Sequence, residues 1–340
     1  MASIKMTTIS DIADAADVSP ATVARVVHNR GYVSEEKRGV IERVISELGY
    51  VPNKVARGLR NSRTNLIGHV LPLSLDNPLF TRIGASLEEA AYKAGYHILT
   101  VMTQNNPEKE RAMIEDLCGL MVEAIIFTTQ TSCDTAFIRR IAARGISIIM
   151  IERPRDISDS DIILLDSYEG ARLATEHIVE CGHQKIAFIG RGPSWGDVEK
   201  KRYDGFLSTL SAHGLSCPEE WIRWMPDYHA DFGLEACEQI LSTGDPPSCI
   251  FATSDLLACG VLQCLHAHGL RVPGDVSLVG YDNTLSSLST PKITSIDLQP
   301  EQVGIAAIDM ILERTEGLRV GSKTVTLSPI LIDRGSVRAL

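Results

Sequence analysis

From Leu66 onward, short apolar runs alternate with segments of helical periodicity, and no other feature of the sequence limits the fold as much. Strand candidates begin near residues 66, 97, 124 and 147, and again near 185, 221, 248 and 276. Helical patterns fill the intervals. Strands that alternate with helices pair in parallel through crossovers, which cover both faces of the sheet. Two groups of about four such units predict an α/β body made of two doubly wound lobes. The longest apolar runs, such as residues 146–151, are far too short to cross a bilayer, so no membrane partner is expected. No basic stretch followed by an apolar one opens the chain, so a cytoplasmic location is expected.

The first fifty residues follow a different rule. DIADAADVSPATVARVVHN, residues 11–29, reads as two short helices split at Asp17-Val18. Ser10 can cap the first, and Asp11 suits the positive end of its dipole. Ile12, Ala15 and Ala16 are expected on one face, the two alanines letting the helices meet closely. Ser19 followed by Pro20 is a strong helix start, with a capping hydroxyl and then a residue that has no N–H to satisfy. Val23, Val26 and Val27 supply the inner face of this second helix. Ser34 opens a third segment with Val40, Ile41, Val44, Ile45 and Leu48 on its apolar side, and Gly49 stops it. The pattern is a helix-turn-helix, which presents the start of its second helix to a DNA major groove.

Charge supports that reading. The net charge is −10, yet residues 1–63 hold ten Lys/Arg against seven Asp/Glu. Residues 51–63 contain Lys54, Arg57, Arg60 and Arg63 and no acid. A basic segment beside a helix-turn-helix, on an otherwise acidic body, is the electrostatic footprint of a DNA-binding protein. Pro52-Asn53 can start a short helix over residues 53–60. Gly58 weakens it by about 1 kcal/mol. Val55, Ala56 and Leu59 are too few apolar residues to hold it alone.

TISDIADAADVSPATVARVVHN and VSEEKRGVIERVISELGYVPNKVARGLR resemble the headpiece of the lactose-repressor (LacI/GalR) family of bacterial transcription regulators. The resemblance continues through NLIGHVLP, DNPLF, GHQKIAFIG, GLRVPGDVSLVGYDN, TSIDLQPEQVG and RGSV. It implies an N-terminal helix-turn-helix headpiece at 1–52, a hinge helix and linker at 53–63, and a periplasmic-binding-protein-like core at 64–340. It also implies crossovers between the core's lobes near 165, 296 and 328. Lobe 1 would hold about 64–165 and 297–327, and lobe 2 about 166–296 and 328–340. Asp17 stands at the family's turn glycine, Ala24 at a serine and His28 at an asparagine. The expected DNA-facing set is Ser19, Pro20, Ala21, Thr22, Arg25, His28 and Asn29 in the headpiece, and Asn53, Ala56, Arg57, Leu59 and Arg60 in the hinge. Arg25 can donate two hydrogen bonds to a guanine edge. Leu59 occupies the position of the family's minor-groove wedge, where an apolar side chain unstacks a base step. One recognition helix reads few base pairs, so a homodimer on double-stranded palindromic operator DNA is expected. After RGSV the sequence has no leucine heptads of the kind that make tetramers.

In doubly wound sheets, ligands bind beyond the carboxyl ends of the strands. Those ends are polar here. They include Asp76 with Phe80, Thr103-Gln104-Asn105, Thr129-Gln130, Glu152-Arg153, Ser194-Trp195, Tyr228, Ser254-Asp255 and Tyr281-Asp282. By resemblance, Arg202 and Asp282 match family effector positions, Ser254 replaces an asparagine found in several relatives, and Arg153 matches a sugar-gripping arginine of periplasmic relatives. Carboxylates accept from vicinal hydroxyls, arginines donate to them, and Trp195 or Phe80 can stack on a sugar face. The implied effector is a small sugar, sugar acid or polyol. Asp255, next to a helix start, reads as an N-cap rather than a ligand. The alternative is a regulator of the same fold controlled by a partner protein.

Other chemistry finds little support. Gly190, Gly192 and Gly196 give GxGxxxG rather than the dinucleotide spacing, and no ribose-binding acid follows. GxxxxGKS, GxxxxGKT and HExxH are all missing, and nothing in the sequence assembles a nucleophile with a base, so no enzyme and no cofactor is expected. The eight cysteines form no CxxC pair. Cys259, Cys264, His266 and His268 do not share one helix face, which argues against a metal.

Overall fold

The computed structural model describes residues 7–50, 63–71, 77–104, 106–128, 133–152, 160–192 and 196–340. The chain forms two units, residues 1–64 and 65–340.

Among the described residues of the first unit there are three helices: α1 (Ile9–Ala15), α2 (Pro20–Val27) and α3 (Glu35–Glu47). Thr8, not Ser10, caps α1. Its hydroxyl accepts from the Asp11 N–H, and the Asp11 carboxylate accepts from the Thr8 N–H at 2.7 Å. This reciprocal pair starts the helix two residues earlier and leaves Ser10 inside it. The buried face of α1 is Ile12, Ala13 and Ala16, while Ala15 is exposed. Ile12, Ala13 and Ala16 stand at i, i+1 and i+4, so they share one side of the helix. Asp17 adopts φ of +49°, which the short side chain tolerates, and this closes the turn into α2. Ser19 caps α2 through the Thr22 N–H. Ser34 occupies the cap position of α3 without a side-chain hydrogen bond. Val23, Val26, Ile41 and Val44 complete the core, whereas Val40 and Leu48 stay exposed on α3.

The second unit contains two six-stranded sheets. The first uses β1 (Leu66–Leu71), β2 (His97–Met102), β3 (Ala124–Thr128), β4 (Ser147–Ile151), β5 (Asp161–Leu165) and β11 (Thr324–Leu327), in the order β11-β5-β4-β3-β1-β2. The second uses β6 (Ile186–Arg191), β7 (Ile222–Met225), β8 (Cys249–Ala252), β9 (Ser277–Tyr281), β10 (Thr294–Asp297) and β12 (Ile330–Ile332), in the order β12-β10-β9-β8-β6-β7. All pairings are parallel except β10 with β12. Central strands such as β3 and β4 are buried along their whole length, as parallel strands covered on both faces must be. Each sheet has a switch point, where β1 lies between β2 and β3, and β6 between β7 and β8.

The helices between strands are α4 (Pro78–Lys93), α5 (Pro107–Gly119), α6 (Thr135–Ala142), α7 (Ser167–Glu180), α8 (Asp197–Ala212), α9 (Ala230–Leu241), α10 (Asp255–Ala267) and α11 (Pro300–Thr315). Several begin with a polar cap followed by proline, as at Asn77-Pro78 and Asn106-Pro107. The chain passes between sheets three times. It does so from β5 into α7, which packs on α8, and from β10 into α11, which packs on α4. The last passage runs from β11 to β12. The strands expected from periodicity begin within one residue of the observed starts. The remaining strands, β5, β10, β11 and β12, fall outside the regular strand–helix alternation, and among the described residues β5, β10 and β12 each follow another strand with no helix between them.

Candidate functional site

In the first unit, burying Val23 and Val26 turns the opposite face of α2 outward. Pro20, Ala21 and Arg25 lie on that exposed face, one turn apart, with Asn29 following at φ of +48°. Thr22 and His28 are half-buried at its edges. The hydroxyls of Ser19 and Thr22 lie 2.9 Å apart, so the cap also orients Thr22. The Arg25 stem lies beside Gly31, whose φ is +74°. Ser19, Pro20, Ala21, Thr22 and Arg25 are therefore gathered at the start and along one side of α2. Asn53, Ala56, Arg57, Leu59 and Arg60 lie outside the described residues.

In the second unit, polar groups converge beyond the carboxyl ends of β8 and β9. Arg202, on the inner face of α8, is 5% exposed. One guanidinium nitrogen donates to the Thr253 carbonyl at 2.7 Å and to the Tyr228 hydroxyl at 3.3 Å. Another lies 3.6 Å from the Asp282 carboxylate. The guanidinium carbon sits 4.0 Å from the Tyr281 ring centroid, a cation–π distance. Burial opposes the Arg202 charge, but Tyr228, Tyr281, Asp282 and Glu199 around it outweigh that effect and keep it cationic. Asp282 is also buried, at φ of +87°. Burial pushes its carboxyl up to about 7 against the pull of Arg202, and Asp255 and Glu152 add to the rise. Two atoms of this pair, Arg202 Nε and Asp282 Oδ1, are buried without a hydrogen-bond partner. Thr103 Oγ1, just after β2, and Ser167 Oγ, just after β5, are in the same condition. Such atoms cost free energy unless something binds them.

Asp255 is neither a cap nor placed for a ligand. Ser254 is the cap of α10, accepting from the Leu256 N–H. The Asp255 carboxylate accepts from the N–H groups of Thr284, Leu285 and Ser286 at 2.7, 2.9 and 3.0 Å, and from the Ser295 hydroxyl at 2.7 Å. It therefore holds the loop that presents Asp282. A carboxylate in the first turn faces back over the cap toward the neighbouring strand's loop, which a caps-only reading of the sequence does not foresee. From the first sheet's side, Arg82 on α4 donates to the Asn283 carbonyl at 2.9 Å and pairs with Glu301 at 3.0 Å. Arg82 lies in the second turn of α4 rather than in a strand-end loop, so a search of the strand ends does not find it. Phe80 is half-buried at the first turn of α4 and packs on the core. Ser254 is buried next to Thr253, so Arg202, Ser254 and Asp282 are brought together. Asp76, Arg153 and Trp195 lie outside the described residues.

A helix-turn-helix joined in one chain to a core of two linked parallel sheets defines a DNA-binding transcriptional regulator. Residues 8–53 match the family described as bacterial regulatory proteins, lacI family, and residues 175–337 match the periplasmic binding protein-like domain. The chain is 32% identical over 339 residues to the HTH-type transcriptional repressor PurR of Actinobacillus pleuropneumoniae serotype 3 (strain JL03), covering 98% of this chain and 99% of that protein. It is 32% identical over 338 residues to the HTH-type transcriptional regulator DegA of Bacillus subtilis (strain 168), with 98% and 99% covered. The crystal structure of the Lac repressor dimer bound to operator and the anti-inducer ONPF superposes with a TM-score of 0.83 at 27% identity, covering 98% of this chain and 100% of that one. The transcriptional regulator CelR–cellobiose complex gives 0.71 at 26% identity, with 97% and 99% covered. The chain belongs to the lacI family of bacterial regulatory proteins. It is a regulator and not an enzyme. Among the described residues no helix is long and apolar enough to cross a membrane.

Proposed function

We propose that this chain is a cytoplasmic repressor that binds a palindromic operator as a homodimer and is controlled by a small hydroxylated effector, a sugar, sugar acid or polyol. In this reading residues 1–52 are the DNA-reading headpiece, 53–63 the hinge and 64–340 the effector-binding and dimerisation core. Ser19, Thr22, His28 and Asn29 position the headpiece on phosphates, while Pro20, Ala21 and Arg25 meet base edges. Asn53, Ala56, Arg57, Leu59 and Arg60 engage the minor groove and its phosphates. Asp76, Phe80, Arg153, Trp195, Arg202, Ser254 and Asp282 hold the effector.

The observation that carries the effector is the pair of buried atoms Arg202 Nε and Asp282 Oδ1, neither of which has a hydrogen-bond partner. One donates, the other accepts, and adjacent hydroxyls on a sugar satisfy both. The orphaned hydroxyls of Thr103 and Ser167 fit the same kind of ligand. CelR, similar in fold along the whole chain, holds cellobiose.

Selection of bound DNA from a random pool supplies the operator, and a screen of sugars for changed operator affinity supplies the ligand. Arg202→Ala is expected to bind that operator like the wild type and to ignore the ligand. A normal ligand response from the Arg202→Ala, Asp282→Ala double variant would place control elsewhere, with a partner protein as the leading alternative.

A further inference from the structure

Among the described residues, one group of thiol, imidazole and carboxylate side chains comes together outside the effector site. Glu238 lies on α9, Cys264 on α10, and His268 at the cap that ends α10. One ligand atom from each lies within 4.8 Å of the others. His268 Nε2 is 2.9 Å from Glu238 Oε2. Both of these side chains are close to half exposed, whereas Cys264 is fully buried.

The backbone explains why these three meet. A Cβ at Gly260 would lie 1.8 Å from the Ala230 carbonyl oxygen, and one at Gly233 would lie 2.1 Å from the Leu257 carbonyl oxygen. Helices α9 and α10 therefore touch backbone to backbone. Cys264 follows Gly260 by four residues and His268 by eight, so both rise along the same side of α10. Glu238 sits four residues beyond Leu234, whose N–H is the next neighbour of that Gly260 position. The donors are held by a helix pair with no freedom to separate at its contact.

We propose that Glu238, Cys264 and His268 form a binding site for a zinc-type divalent transition-metal ion on the outer helices of the second lobe. One sulfur, one nitrogen and one oxygen donor suit a borderline cation of this kind. Calcium and magnesium are disfavoured, since they take oxygen ligands and only one carboxylate is present. Bonds of about 2.0 to 2.3 Å place tetrahedral ligand atoms roughly 3.3 to 3.7 Å apart. The 4.8 Å spread reaches this by small side-chain rotations. The exposed side leaves the fourth position to water. A thiolate, a carboxylate and a neutral imidazole around a divalent ion give a neutral complex, which offsets the cost of burying the sulfur's charge.

Cys237 lies behind the site. It is fully buried on α9 in the same apolar cluster as Cys264. A thiol that binds the ion gives up its proton to solvent as the metal–sulfur bond forms.

The test uses the reduced, chelator-treated full-length protein. Zinc is titrated against a chromogenic chelator, and cobalt(II) is titrated while the absorbance spectrum is followed. The expected result is one site per chain and a thiolate-to-cobalt charge-transfer band. Cys264→Ser should abolish the band. His268→Gln, at an exposed position that leaves the fold intact, should weaken zinc binding by at least about tenfold. Cys259→Ser, in the same helix but outside the cluster, should change neither. Zinc binding that is absent at micromolar concentration would overturn the proposal. So would binding that survives His268→Gln unchanged, or a cobalt spectrum without the thiolate band.

Discussion

Among the described residues, seven buried side chains hold the three helices of the headpiece together. In the core, one cluster runs from Ile67 on β1 through Phe188, Phe251 and Tyr281 on the second sheet to Val337. The headpiece contacts join residues within about thirty positions of each other, and its outward face follows once the inward face is packed. The buried polar cluster proposed as the effector site instead depends on Arg202, Thr253 and Asp282, which come from three separate β–α units. A DNA-reading surface can thus be specified by helical period alone. A buried polar site needs the sheets assembled first. The small unit is also the more fragile, because each of its few core side chains carries a larger share of its stability.

That contrast can be broken by mutation. Ile41→Ala removes a fully buried headpiece side chain and should cost about 2–5 kcal/mol. Operator binding should vanish, while effector binding to the core and the core's own thermal transition persist. Calorimetry that shows both units losing stability together would mean that they fold as one.

The two sheets of the core can be set against each other by pH. His69 on β1 is buried between Thr100 and Thr128, and burial pushes it down to about 4. The unfolded chain then binds the extra proton between about pH 4 and 6.5, so this histidine makes stability rise with pH across that window. Asp282, pushed up to about 7 by burial, keeps its proton in the folded state where the unfolded carboxyl has lost it. Its contribution is present at low pH and is lost as pH rises from about 4 to 7. The two slopes oppose, each at most about 1.4 kcal/mol per pH unit. Asp282→Asn should therefore turn the denaturant midpoint upward with pH between 4.5 and 6.5 relative to the wild type, and His69→Gln should turn it downward. Parallel profiles for all three proteins would show that these groups are not shifted as their burial demands.

On the headpiece surface, Arg25→Ala should relax selectivity at one G·C pair in each half-site by about 1–3 kcal/mol. Binding measured over a set of single-base operator variants separates this from a uniform loss, which would make Arg25 a phosphate contact. The smallest effect tests the start of α1. Thr8→Ala should cost about 1 kcal/mol through the lost cap, and Ser10→Ala much less. The reverse ranking in thermal melts would return the cap to Ser10.

Much was legible before any coordinates. The strand starts, the Ser19-Pro20 start of α2 and the left-handed Asp17 each depend on periods, caps and turn chemistry that act within a few residues. Arg202 and Asp282 were found through motifs, and burial then brought them to one place. The sequence was less informative where two short-range rules compete. Thr8 and Ser10 are both capping residues, and only the reciprocal bond with Asp11 chose between them.

Other features were decided by tertiary structure alone. Asp255 became the anchor of the 283–286 loop because β8 and β9 are neighbours in the sheet. Cys264 and His268 gained Glu238 as a partner from a different helix, because α9 and α10 pack through glycines. Four short strands owe their pairing to neighbours already in place rather than to a pattern of their own. The division has one physical cause. Periodicity and capping are properties of a single segment in water, whereas the burial and alignment of a polar side chain exist only once distant segments have packed around it.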